Sequence, residues 1–120
     1  MARVLCIDDD NVTLTLLKGV LESDGHYVLT AGNGKDGIRK SRVARADVII
    51  CDLMMPEMDG YEFCDELKKL AITQNTPVIL LTSRSTPLSI KNAADLRATY
   101  LAKPFNHAEL QVLVAKLGDS

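Results

Sequence analysis

Apolar runs and helix-spaced apolar positions alternate along this chain of 120 residues. Arg3-Val4-Leu5-Cys6-Ile7 is nearly unbroken in its hydrophobicity, the pattern of a strand covered on both faces. Residues 11–24 change to helical spacing, with Val12, Leu16, Leu17, Val20 and Leu21 expected on one buried face and Gly25 as terminator. A second strand is predicted over residues 27–31, and a weaker helix with two glycines and a basic face over 34–45. Residues 47–51 read as a third strand and 60–71 as a helix. Pro77 opens the apolar run Val78-Ile79-Leu80-Leu81-Thr82, a position where a strand tolerates proline. A short helix should follow, with Thr86 as N-cap and Pro87 at its first position. Residues 98–102 make a fifth strand. The last helix begins near Asn106, with Glu109 placed for a capping box and Leu110, Leu113, Val114 and Leu117 as its buried face.

Five strands alternating with five helices predict an α/β fold, a doubly wound parallel sheet covered on both sides. Ligands in such folds sit beyond the carboxyl ends of the strands. Residues 1–120 are expected to form one domain.

Charge and composition narrow the function. A formal net charge of −2 makes no electrostatic case for binding nucleic acid or an acidic membrane. No apolar stretch approaches the length of a membrane span, and the N-terminus has no signal-peptide pattern, so a cytoplasmic location is expected. Three cysteines without metal-type spacing suggest small buried hydrophobes rather than a disulfide framework. Cys51 should point to the opposite side of its strand from Asp52.

The chemistry concentrates at strand ends. Asp8, Asp9 and Asp10 follow the first apolar run, and Asp52 follows the third. If those runs are parallel neighbours, the carboxylates emerge together, repel one another and gain from a hard divalent cation such as Mg²⁺. One carboxylate is then available as a nucleophile towards phosphorus. Thr82 and Lys103 fall at the ends of the fourth and fifth strands. Asp10 and Asn11 suit a helix cap, and Pro56 with Asp59-Gly60 suits a turn and helix entry. His26 and His107 stand without a catalytic partner in sequence and read as surface residues.

The ordered set Asp8-Asp9, Asp52, Pro56, Asp59-Gly60, Thr82, Tyr100 and Lys103-Pro104-Phe105 resembles the receiver domain of two-component response regulators over essentially the whole chain. The resemblance implies a flavodoxin-like sheet with strand order 2-1-3-4-5. It implies Mg²⁺ held by Asp9 directly, Asp8 largely through water, Asp52, and the backbone carbonyl of Met54. Asp52 would be the phosphoacceptor, Lys103 its cationic partner behind a cis Lys103-Pro104 bond, and Thr82 a hydroxyl donor to the phosphoryl group. Tyr100 would turn from an exposed to a buried rotamer as Thr82 moves. Such a domain is a signalling switch rather than an enzyme. Its partners would be a sensor histidine kinase or histidine phosphotransfer protein upstream and a protein or output domain downstream. Nucleic acid and membrane are not expected to touch it directly. Met54 and Arg84 occupy positions along the approach of hydrolytic water, and their bulk predicts slow self-dephosphorylation, which loss of label from phosphoprotein would measure.

The chain departs from the family between Thr82 and Lys103, a segment about one residue short, with Leu96-Arg97 in place of a small pair. The expected consequence is an altered partner surface. Two other readings compete. In a small Mg²⁺-dependent hydrolase with an aspartyl-phosphate intermediate, Asp8 and Asp10 would supply the spacing of haloacid-dehalogenase-like enzymes, but little chain remains for a substrate pocket. A flavodoxin-like binding module is disfavoured by few aromatic residues and no phosphate-binding loop.

Overall fold

A computed structural model describes residues 1–83 and 98–118. The strands are β1 (Arg3–Ile7), β2 (Tyr27–Ala31), β3 (Val48–Asp52), β4 (Val78–Thr82) and β5 (Thr99–Ala102). All neighbours run parallel, in the order β2-β1-β3-β4-β5. The helices among the described residues are α1 (Asn11–Ser23), α2 (Gly34–Ala44), α3 (Gly60–Lys68) and α4 (His107–Gly118). The short helix expected near Thr86, Arg84 and the Leu96-Arg97 departure all lie outside the described residues.

β3 and β4 are buried at every position, which explains their continuous apolar sequence. Alternate strand side chains enter two cores. On one side Cys6, Ile50, Ile79 and Leu101 meet Leu17 and Leu21 of α1 and Leu110 and Val114 of α4. On the other, Leu5, Ile7, Cys51 and Leu80 meet Phe63 and Leu67 of α3. Cys51 therefore points into the second core, as its place before Asp52 requires.

The face expected of α1 needs correction. Leu14, Leu17 and Leu21 are its buried residues, whereas Val12 and Leu16 are 67% and 56% exposed. Apolar residues occur all round this helix, so spacing alone allows two stripes; the sheet selects 14-17-21, and Val12 with Leu16 falls nearly opposite. Asp10 is the N-cap, accepting from the Val12 N–H at 3.0 Å, and Gly25 follows the helix with φ 92°.

α3 ends at Lys68, three residues short of the expected 71. The Thr73 hydroxyl donates to the Leu67 carbonyl at 2.7 Å, satisfying a helix-end acceptor from outside the helix. At its start, Asp59 and Glu62 form a full capping box. A Cβ on Gly60 would stand 2.9 Å from the Leu53 Cα, so only glycine lets the helix enter this close to β3.

Candidate functional site

β1 and β3 are hydrogen-bonded neighbours with Ile7 opposite Cys51, so Asp8 and Asp52 each stand one residue past that pair. Their carboxylates, with that of Asp9, offer oxygens all lying within 4.8 Å of one another. Asp8 is fully buried, Asp52 nearly so, and Asp9 faces solvent. Asp8 Oδ1 accepts from the Asp10 N–H at 2.9 Å, which turns the chain into α1 and fixes the carboxylate.

Lys103 enters this crevice from the end of β5. Its backbone N–H donates to the Thr82 carbonyl at 2.6 Å, and the Lys103-Pro104 peptide is cis. Its Nζ lies 2.8 Å from Asp8 Oδ2 and 3.2 Å from Asp52 Oδ1. The expected partner of Lys103 was Asp52; the shorter contact is with Asp8. A carboxylate with no solvent exposure has the greater need of a counter-charge.

Among the described residues, one ammonium stands between two buried carboxylates. Burial, then the nearby Asp8 carboxylate, pushes the Asp52 pKa above its ordinary value, and Lys103 only partly opposes them. For Lys103, burial works against the charge, but the Asp8 hydrogen bond and both carboxylates outweigh it and raise its pKa. The donor set is all oxygen and anionic, which fits a hard divalent ion far better than a soft one.

Thr82 closes β4 and is buried; it pairs with Ala102, while Asp52 pairs with its predecessor Leu81. Tyr100, opposite Leu80, is half-buried against the α2–α3 core. Its hydroxyl is 2.9 Å from that of Tyr61 on α3, a pair separated by 39 residues that sequence patterning gave no means to find. Burial and then this bond raise the Tyr100 pKa. Met54 is 60% exposed beside the crevice.

Elsewhere the polar groups are structural. His26, expected at the surface, is half-buried, and its Nδ1 accepts from the Ala2 N–H at 3.0 Å. His107 Nε2 stands 3.5 Å from Asp24, whose other oxygen accepts from Gln111 at 2.7 Å. All three cysteines are buried, and burial raises Cys6 and Cys64 to about 12, which makes them poor nucleophiles. A cavity of about 590 Å³ opens at the opposite end of the sheet, among Met1, Val4, Tyr27 and Val43, and Asp8, Asp9 and Asp52 take no part in its lining. Among the described residues no helix is long and apolar enough to cross a membrane.

The comparisons with known proteins agree with this geometry. Residues 4–115 match the response regulator receiver domain family. The alkaline phosphatase synthesis transcriptional regulatory protein PhoP of Bacillus subtilis is 31% identical over 93% of this chain and 46% of its own length. The chain thus spans about half the length of that relative. Chemotaxis protein CheY4 of Vibrio cholerae superposes with a TM-score of 0.90 at 33% identity, covering 98% of both chains. The receiver domain of sensor histidine kinase PA1611 from Pseudomonas aeruginosa, solved with magnesium in its active site cleft, gives 0.88 at 29% identity, over 99% of this chain and 98% of that one. The chemotaxis protein and the kinase's receiver domain share the fold of this chain over nearly all of its length, and the transcriptional regulator matches it in sequence. The chain belongs to the response regulator receiver domain family of two-component signalling.

Proposed function

We propose that residues 1–120 act as a phosphorylation-controlled switch in which Asp52 accepts a phosphoryl group from a histidine kinase or histidine phosphotransfer protein. The observation that carries this reading is the cation-poor pairing of buried Asp8 and Asp52 around Lys103. Asp8, Asp9 and Asp52, with the Met54 carbonyl, are the groups to hold Mg²⁺. When bound, that ion supplies charge neutralisation for the transferring group.

In the transfer, an Asp52 oxygen forms a bond to phosphorus as the phosphorus–nitrogen bond of the donor breaks; the departing imidazole takes its proton from solvent. Lys103, already between the carboxylates, turns its ammonium to a phosphoryl oxygen. The Thr82 hydroxyl donates to another, drawing the end of β4 inward, and Tyr100 packs behind it. A cytoplasmic setting and a downstream protein or output domain complete the reading. No described feature favours the hydrolase alternative.

Acetyl phosphate and Mg²⁺ should add one phosphoryl group by intact mass, and Asp52→Asn should add none. An adduct that persists in Asp52→Asn would overturn the assignment.

The donor protein needs a docking surface, and exposed Val12 and Leu16 on the first turns of α1 stand beside Asp9 and Asp10. Replacing both by Asp should slow transfer from a kinase at least tenfold while labelling by acetyl phosphate is unchanged. Equal losses with both donors would rule this surface out.

A further inference from the structure

Tyr61 is the second residue of α3, and three features fix its place. The Asp59–Glu62 capping box sets the first turn, the Gly60 N–H donates to the Leu53 carbonyl at 2.8 Å, and Phe63, Cys64 and Leu67 anchor the helix in the core. Leu53 directly follows Asp52, so Tyr61 is tied to the strand end that carries the acceptor. Across the groove, Tyr100 lies in β5 with its ring against the same core. Two phenols can meet at 2.9 Å only when both rings point into the one groove. A ring turned out from β5 would lose this partner.

We infer that Tyr61 is a positioning residue that latches Tyr100 in its packed rotamer before any phosphoryl group arrives. The inference rests on the proposed role of Tyr100 as the switch residue and deepens it. A neutral hydrogen bond shifts a two-state population by roughly twofold to tenfold. By linkage, a latch that favours the packed state favours phosphorylation by the same factor at equilibrium. The switch of this chain is thus biased towards its modified state, and the α3 hydroxyl sets the bias.

The test uses the full chain with Tyr61→Phe, Tyr100→Phe and the double variant; Phe keeps ring packing and deletes only the hydroxyl. Three-bond couplings across the Tyr100 χ1 bond, measured by NMR on unphosphorylated protein, report its rotamer. Wild type should show one rotamer and Tyr61→Phe an average of two; identical couplings in both would overturn the latch. The ratio of phosphorylated to unmodified protein reached with acetyl phosphate and Mg²⁺ should fall by up to about twofold to tenfold in either single variant, and no further in the double variant. Unchanged ratios, or additive losses, would overturn the link between latch and reaction. If no protein takes up phosphoryl, the acceptor reading fails, while the couplings still decide whether Tyr61 holds Tyr100.

Discussion

Asp36 in α2 and Asp52 at the end of β3 each face a lysine, yet their pKa values move in opposite directions. Asp36 sits in the first turn of its helix, 3.3 Å from Lys40 and hydrogen-bonded by Arg39 Nε at 3.1 Å. The Arg39 hydrogen bond, followed by Lys40, lowers its pKa against the small cost of partial burial. Among the described residues Asp52 has one lysine, which it shares with Asp8, and it is largely buried, where solvent screens the repulsion poorly. Its pKa rises. An acid–base contact by itself therefore says little. An excess of buried carboxylate over cation is a cost that folding alone has no reason to carry, and it marks the crevice as the candidate site, the one proposed above for a cation and a phosphoryl group.

The largest effect should come from taking away the cation that the crevice does have. Among the described residues, Lys103→Ala leaves the fully buried Asp8 carboxylate with the Asp10 backbone N–H as its donor. Removing one partner of a buried pair costs about 3 kcal/mol, which urea unfolding of metal-free protein would measure. Millimolar Mg²⁺ should recover part of that loss. A loss below about 0.5 kcal/mol would mean that the buried pair contributes no more than an exposed one, and the contrast with Asp36 would collapse.

Adding cation should act in the other direction. If the crevice takes Mg²⁺ as proposed, the ion at one hundred times its dissociation constant should stabilise the folded chain by about 2.7 kcal/mol, and Asp52→Asn should lose most of this gain. Asp36→Asn should lose none of it. Without metal, the linkage has a definite sign. Asp52 holds its proton more tightly folded than unfolded, so its contribution is most favourable at acid pH. It becomes less favourable as pH rises from 3.8 through the elevated folded value. Asp52→Asn should therefore melt a few degrees higher than wild type at neutral pH, with the difference shrinking below pH 4. A variant that melts lower at pH 7 would show that Lys103 already compensates Asp52.

Most of this arrangement was legible from the residues. The apolar runs marked all five strands to within a residue, because burial on both faces leaves little room for polar substitution. Asp10 and Asp59 were placed as cap and helix entry because short acidic side chains reach free backbone N–H groups there. What periodicity could not settle was α1, whose apolar residues form two stripes and whose buried one is chosen by the sheet. Nor could it show that Lys103 would favour Asp8 over Asp52, a matter of which carboxylate ends up deeper. The Tyr61–Tyr100 contact joins segments brought together only by the parallel sheet, and neither residue is unusual in its own neighbourhood.

The smallest effect belongs to Asp36, and it calibrates the others. Arg39 and Lys40 approach it from the same helix at i+3 and i+4, and its own backbone N–H is held by the Asn33 cap at 2.8 Å. Such exposed pairs contribute only about 0.3–0.5 kcal/mol. Because the folded pKa of Asp36 is depressed, that contribution is present above its ordinary value of 3.8 and is lost as pH falls through the folded value. Asp36→Asn should thus cost a few tenths of a kcal/mol at pH 7 by chemical denaturation, nothing near pH 2, and less in 1 M salt. Phosphoryl uptake should be unaffected at every pH. If this variant instead matched Lys103→Ala in stability or labelling, the two lysine–carboxylate contacts would be equivalent, and burial would not be what separates a structural ion pair from a reactive one.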